Sequence, residues 1–296
     1  MTAPFTVVVV IHESAEELTA LLDSLDRELA EAPRVVVVDN GSRDGGAALA
    51  RRRGAEVVER PDNPGFGSAS NDGIARAETE VTVLLNPDIE LCDGGLAELA
   101  RRAARRDALV APRLLEADGR IQRTAHPVPG NLEAFLPALV HPPVLPRALR
   151  LRAEPWRAPG PRQVGWVVAA CLAARTETLR RLGPFDPRAF LFYEDLDLCL
   201  RARAAGIPTE LHPDVVLRHR GAHATAPAFG GEPHALLARR RREVIEARLG
   251  RRARALDDAA QGVTFAVRAA ARRLVGRDPA RPRAQLRALR QARQQR

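Results

Sequence analysis

Four stretches of this chain combine acids, amides and glycines in ways that could do chemistry. In "VVVVDNGSRDGG", Asp39 closes a valine run and is followed by Asn, Gly and Ser, the residues of a tight turn. In an open α/β sheet the ligand crevice lies just beyond the carboxyl ends of the strands, so a carboxylate at that point can face a ligand. A plain turn, with Asp44 capping the next helix, is the structural alternative. In "VLLNPDIEL", Asp88 ends another apolar run and so reaches the same edge. A hard divalent cation takes oxygen ligands but keeps waters and substrate phosphates, so one Asp can suffice; an N-P-D turn with no ligand is the alternative. "RPDNPGFGSASNDGI" supplies Gly65, Gly67 and Gly73 ahead of a helix, which would let the backbone approach an anion. A flexible loop capped by Ser68 explains the same residues. The glycines do not fit G-x-G-x-x-G, which argues against a nicotinamide site.

The fourth stretch is "FLFYEDLDLCLRARAAG", with Glu194, Asp195 and Asp197 at the start of a helix. The helix dipole favours acids there, which is one explanation. The other is a general base, because the neighbouring Phe190, Leu191, Phe192 and Tyr193 offer a partly apolar wall that raises a carboxylate's proton affinity. Near the end of a later strand, His219 and His223 stand four apart. Such a pair comes close enough to share a metal only on a helix, and Gly221 opposes a helix, so one of them as a ligand is expected rather than both. His12, His126, His141, His212 and His234 read as surface or loop residues, with His12 bordering the crevice. Cys92, Cys171 and Cys199 are in no metal or redox spacing and read as buried free thiols of a reducing compartment.

These residues need a scaffold, and the pattern from Phe5 to about Val110 supplies one. Strands are expected at Phe5 to Ile11, Arg34 to Asp39, Ala55 to Glu59, Val81 to Asn86 and Leu109 to Ala111. Helices are expected at Ser14 to Ala30, Gly45 to Arg53, Ser68 to Ala77 and Asp93 to Arg106. Ser14 with Glu17 reads as a capping box. Alternating strands and helices mean βαβ units, and unbroken valine runs mean strands buried on both faces. Residues 126 to 162 hold nine of the 23 prolines with no period and read as a long irregular insertion. A strand at Val164 to Ala173, helices at Thr176 to Leu182 and Glu194 to Ala205, and a strand at Thr209 to Leu217 follow. From His234 on, the pattern is helical and Arg-rich, with Val263, Val267, Ala270 and Leu274 at helical spacing among Arg268, Arg272 and Arg273.

Across 296 residues, 45% hydrophobic and 28% charged describes an ordinary globular chain. The net charge of +9 is not spread evenly. Residues 234–296 hold 18 Arg against 5 acids, whereas residues 1–233 hold 28 Arg against 32 acids. An acidic body and only 4% aromatic residues oppose a nucleic-acid-binding role, even with the basic tail. The first apolar run is of strand length and lacks a basic flank, so neither a signal peptide nor a membrane anchor is expected, and the cytosol is the expected compartment.

Taken in order, "VVVVDNGSRDG", "NPGFGSASNDGI", "LLNPDIEL", "GWVVAACLAART", "GPFDPRAFLFYEDLDLCLRARAAG" and "LRHRGAHAT", after a β-rich start, resemble family 2 glycosyltransferases of the GT-A fold. The likeness is greatest to the bacterial rhamnosyltransferase-like branch and covers roughly residues 5 to 225. It implies an α/β fold, a Rossmann-like mixed sheet flanked by helices. The catalytic domain would span residues 1–230 and the Arg-rich helical extension residues 231–296.

The resemblance also implies roles. Asp39 binds the nucleotide base; Asn63, Gly65 and Asn71 line the donor pocket, as do Ile11 and Glu13, which with His12 stand where the family usually has Thr-Tyr-Asn or similar. Asp88 takes the place of the D-x-D motif at the donor diphosphate and binds a divalent metal, Mg2+ or Mn2+, with His219 as a further ligand. Asp195 is the catalytic base, and Trp166 and Glu194 face the acceptor. Val168, Ala169 and Ala170 replace the family's Ser-Gly-Ala. The implied reaction transfers a sugar with inversion from a dTDP- or UDP-sugar to a glycan or lipid-linked acceptor. The basic amphipathic pattern of the tail itself suits the inner face of the cell membrane, with a solvated helical extension or a dimerisation arm as the alternative. A catalytically degenerate nucleotide-sugar-binding protein and a nucleic-acid-binding protein acting through the tail are the alternatives.

Overall fold

The computed structural model describes residues 3–131, 133, 144–183, 185–187, 190–220 and 233–294. β1 (Thr6–Ile11), β2 (Arg34–Asp39), β3 (Glu56–Glu59) and β4 (Val81–Leu85) lie parallel in the order β3-β2-β1-β4. α1 (Ala15–Glu28), α2 (Gly46–Arg52) and α3 (Phe66–Arg76) connect them. Ile11 and Asp39 are register partners, so both strands end level at one edge of the sheet.

Beyond β4 the sheet becomes mixed. β5 (Ile89–Leu91), β6 (Leu109–Leu115), β8 (Arg162–Val164), β10 (Cys171–Arg175) and β11 (Thr209–His219) extend it in the order β4-β10-β6-β11-β5, with β8 also on β11, and α4 (Gly95–Arg105) lies between β5 and β6 in the chain. β10 runs antiparallel to β4 and β6, while β11 is parallel to β6. β7 (Ala125–His126) and β9 (Trp166–Val167) make a separate antiparallel ribbon. Among the described residues the remaining α-helices are α5 (Arg147–Ala153), α6 (Thr176–Leu182), α7 (Glu194–Ala204), α8 (His234–Leu274) and α9 (Ala280–Gln294).

Side chains alternate across a strand, so one valine run feeds two cores. Val7, Val9 and Ile11 pack on the face that buries Leu18, Leu21, Leu22 and Leu25 of α1 with Leu96 and Leu99 of α4. Val8 points the other way, into a core holding Ile74 of α3, Leu196 and Leu198 of α7, and Val244 and Ile245 of α8. Full burial of each such side chain stabilises the fold by about 1.5–3 kcal/mol. The mixed sheet flanked by helices is the expected architecture. α8 breaks at Gly250, whose φ is 85°. Arg241 and Arg242 pair with Asp257 and Asp258 across that break, so the two arms lie side by side.

Several local expectations are corrected. Ser14 stands at the cap position of α1 but makes no capping bond; its hydroxyl donates to the His12 carbonyl, so the capping box does not form. α3 starts at Phe66 behind Gly65, leaving Ser68 inside the helix rather than capping it. The run Val164 to Ala173 is divided among β8, β9 and β10, because pairing with β11, β7 and β4 takes its pieces to different partners. In the insertion 126–162, α5 and a short 3-10 helix (Pro155–Arg157) occupy the described part; residues 132 and 134–143, with His141, lie outside the described residues. His126 is no loop residue but lies in β7 stacked on Trp166, and His212 is buried in β11 between Arg102 and Glu210. Cys171 and Cys199 are buried, whereas Cys92 is exposed.

Candidate active site

The carboxyl ends of β1, β2 and β4 carry the first group of residues. Asp39 is buried, and its Oδ1 accepts the Ser42 N–H at 2.9 Å, which closes the turn after β2. Asn40, beside it, is 4% exposed and donates from Nδ2 to Asn63 Oδ1 at 2.7 Å. That bond joins the β2 turn to the "NPGFG" loop and holds Asn63 in a left-handed conformation, φ 41°. Glu13, also left-handed at φ 50°, accepts the Arg43 N–H at 3.0 Å while its own N–H donates to Ser42 Oγ. Asp44 accepts both Ala15 N–H and Gly46 N–H, which ties the starts of α1 and α2 together.

Gly65 has to be glycine. Its φ is 92°, and a Cβ there would sit 2.0 Å from the Phe190 carbonyl oxygen. The segment ahead of α7 therefore crosses directly over this loop, and Phe66 N–H donates to that same carbonyl at 3.2 Å. Asn71 also faces this segment: its amide donates to the Phe185 carbonyl and accepts the Phe185 N–H at 2.9 and 3.0 Å. Both ends of the Asn71 side chain are thus engaged with backbone.

Asp88 and His219 come together although 131 positions separate them, with Asp88 Oδ1 3.2 Å from His219 Nε2. The antiparallel pairing of β5 with β11 sets Ile89 opposite His219, and Arg220 N–H donates to the Asp88 carbonyl. Gln122 fixes the imidazole. Its Nε2 donates to the His219 carbonyl at 3.1 Å, which leaves Oε1 to accept from His219 Nδ1 at 2.8 Å. With Nδ1 protonated, a neutral imidazole turns the Nε2 lone pair toward a carboxylate oxygen. Two acceptors at that distance need positive charge between or beside them, either a proton on Nε2 or a metal ion. The donor set, one carboxylate and one oriented imidazole, fits a divalent cation that keeps its other positions for water and phosphate. Among the described residues no three His, Cys, Asp or Glu side chains cluster as a metal site. His223 lies outside the described residues.

Glu194 and Asp195 open α7. Asp195 Oδ1 accepts the Leu196 N–H at 2.7 Å and Oδ2 the Ala169 N–H at 3.4 Å. The next residue, Ala170, accepts Asn86 N–H at 2.9 Å. Asp195 and the Asn86–Asp88 turn are therefore attached to adjacent residues between β9 and β10. Burial raises the proton affinity of both acids, and the charge of Asp195 raises that of Glu194 further; backbone N–H donors and nearby Arg241 oppose the rise at Asp195. The site carries one negative charge more readily than two. Phe192 and Tyr193, immediately before the pair, are both left-handed, with φ 72° and 61°. That conformation costs about 1–2 kcal/mol per non-glycine residue, so surrounding contacts must hold it.

Trp166 is 6% exposed and stacks on His126, with ring centroids 4.4 Å apart. Tyr193 lies 6.2 Å from Trp166. Burial and the Arg241 charge keep the His126 imidazole neutral. Four participants were not singled out from the residues: Asn40, Gln122, the Ala169–Ala170 backbone and Arg241. Asn40 lay inside a noted turn, but Gln122 sits in a stretch without periodicity, and a backbone N–H leaves no mark in sequence.

A family model described as Glycosyl transferase family 2 matches residues 6–159. The chain is 29% identical over 242 residues to an N-acetylglucosaminyl-diphospho-decaprenol L-rhamnosyltransferase of Mycobacterium tuberculosis, covering 76% of this chain and 78% of the relative. Among solved structures, a mannosyltransferase of Pyrobaculum calidifontis in complex with GDP-Man and Mn2+ aligns with TM-score 0.60 at 20% identity, over 95% of this chain and 78% of that one. GalNAc-T7 with UDP, GalNAc and Mn2+ aligns with TM-score 0.58 at 18% identity over 81% of this chain. The chain spans about half of GalNAc-T7, 48%. These two likenesses bear on the fold, which is GT-A.

Proposed function

We propose a reaction for this chain, which belongs to glycosyl transferase family 2 and is a glycosyltransferase: it moves a sugar from a nucleotide-diphosphate donor to an acceptor hydroxyl in one inverting displacement. Asp195 is the base that removes the acceptor proton as the hydroxyl oxygen attacks the sugar carbon, and the donor diphosphate leaves from the opposite side. Its raised proton affinity suits it to take that proton, and general-base help is worth about 100- to 10,000-fold. Asp39, Asn63 and Gly65 form the donor side with Ile11 and Glu13, while Asn71 supports the pocket through the Phe185 backbone. Trp166 and Glu194 face the acceptor. A divalent cation, Mg2+ or Mn2+, at Asp88 and His219 would offset the charge that develops on the leaving diphosphate.

The observation that carries this reading is the shared attachment of Asp195 and the Asp88 turn to Ala169 and Ala170. A base and a diphosphate-holding group must keep a constant separation across the sugar, and two adjacent backbone positions supply it. The test is a thermal-shift series of dTDP- and UDP-sugars with Mn2+, Mg2+ or neither. Stabilisation by one donor that needs metal and disappears in Asp88→Ala is the expected result. No shift with any donor overturns the reading, and a donor-dependent shift with no turnover of that donor overturns it in favour of the degenerate nucleotide-sugar-binding protein.

The rhamnosyltransferase name of the mycobacterial relative supports rhamnose as the sugar and a lipid-linked diphosphate as the acceptor class. The second arm of α8 supports a membrane surface as the place of action. Val263, Val267 and Leu274 are 36%, 50% and 87% exposed, interleaved with Arg268, Arg272 and Arg273, and Val275, just past the helix end, is exposed as well. Among the described residues no helix is long and apolar enough to cross a membrane. An exposed apolar stripe edged with arginine instead suits the plane of an anionic bilayer, with about 1 kcal/mol from each basic residue near the surface. On this reading residues 1–230 form the catalytic domain and the far part of 231–296 the membrane-facing extension.

A further inference from the structure

The first arm of α8 packs against the start of α7. We propose that Arg241, on this C-terminal arm, is a positioning residue that holds the Tyr193–Glu194–Asp195 turn in its working geometry; this rests on Asp195 being the base. Arg241 is held in a two-pronged pair with Asp257 at 2.8 and 2.7 Å, and Asp257 is itself 3% exposed on its side chain. Gln261 donates to the same carboxylate at 2.6 Å. From that anchored position the guanidinium lies over the Tyr193 ring, 5.6 Å from its centre. Tyr193 is the second of the two left-handed residues that aim Asp195 at Ala169.

A second contact locks the same two helices. Arg248 donates to Asp197 Oδ1 at 2.6 Å, and Arg201 of α7 holds the other oxygen at 2.8 Å. Val244 and Ile245, between Arg241 and Arg248, are buried in the core beside Leu196 and Leu198. The start of α7 is therefore gripped from the chain's C-terminal segment at the base and one turn further on. Without that grip, the left-handed pair Phe192–Tyr193 can relax to ordinary backbone angles and swing Asp195 away from the Ala169 N–H.

Removing Arg241 alone would leave Asp257 buried and uncompensated, so Arg241→Met is combined with Asp257→Leu to remove both charges together. Steady-state kinetics, donor affinity and Tm are measured for this pair in the full chain, with and without Asp195→Asn. The expected result is a kcat at least about tenfold lower with donor affinity within about twofold and Tm close to the unmodified chain. On the Asp195→Asn background the same pair changes kcat less than about twofold, because a positioning residue acts only through what it positions. Arg241→Lys keeps a charge for Asp257 but not the fork, and guards against a folding failure; it is expected to keep Tm and to lose kcat several-fold. Unchanged kcat in both Arg241 variants, or an equal loss with and without Asp195, overturns the inference alone. Full activity in Asp195→Asn overturns the assignment of the base and the inference with it.

Discussion

Replacing Gln122 with leucine removes both hydrogen bonds that orient His219 while keeping most of the side-chain volume. Each bond contributes about 1 kcal/mol net, so the pair amounts to roughly 2 kcal/mol, or about thirtyfold in an equilibrium constant. Loss of an outer partner of a metal-binding histidine typically costs 10–100-fold in metal affinity, which brackets the same value. The assay is a Mn2+ titration followed by electron paramagnetic resonance, in the presence of saturating nucleoside diphosphate. The expected outcome is a Kd for Mn2+ raised about thirtyfold, with Tm of the metal-free chain lowered only slightly because Gln122 is half-buried near the edge of the sheet. Nitrogen NMR of the metal-free chain gives a second readout: His219 is expected with its proton on Nδ1, and Gln122→Leu mixes the tautomers. A Mn2+ affinity within twofold of the unmodified chain would show that Gln122 does not set the imidazole, and would remove His219 as a ligand if His219→Ala behaved alike.

Asp195→Asn is expected to lower kcat by about 100- to 10,000-fold and leave donor binding intact, as read by turnover and by titration of the donor. The base must be ionised and burial raises its proton affinity, so kcat should fall as pH drops through a value above the ordinary aspartate 3.8; an acid limb at or below 3.8 refutes the burial argument. Gly65→Ala forces a Cβ onto the Phe190 carbonyl and a non-glycine residue to φ 92°; a loss of about 1–2 kcal/mol from the angle alone should lower Tm by several degrees, and an unchanged Tm would mean the crossing segment yields freely. Val267→Asp with Leu274→Asp should abolish flotation with anionic vesicles at unchanged Tm, since both side chains are exposed; persistent flotation would place the contact elsewhere.

The architecture was legible because it follows from local periodicity. The valine runs of β1 and β2, the leucines of α1 at positions 18, 21, 22 and 25, and the alternation of the two patterns dictate a sheet with helices on both faces. The carboxyl ends of β2 and β4 then place Asp39 and Asp88 at one edge. Strand limits blurred where partners decided them, as in the single apolar run from 164 to 173 that three different neighbours divide among β8, β9 and β10.

What the sequence determined by itself was the fold class, the family likeness and the residue types at the strand ends, since each depends on spacing along the chain. The tertiary structure alone decided which distant residues meet. The Asp88–His219 approach comes from pairing β5 with β11, the orientation of that histidine comes from Gln122 in an aperiodic stretch, and Asp195 takes its hold from a backbone N–H that every residue but proline has. The same is true of Arg241. In sequence it is one of four consecutive arginines in a basic tail, and only the fold-back at Gly250 and the buried Asp257 distinguish it from its neighbours, because burial and pairing are properties of position in space.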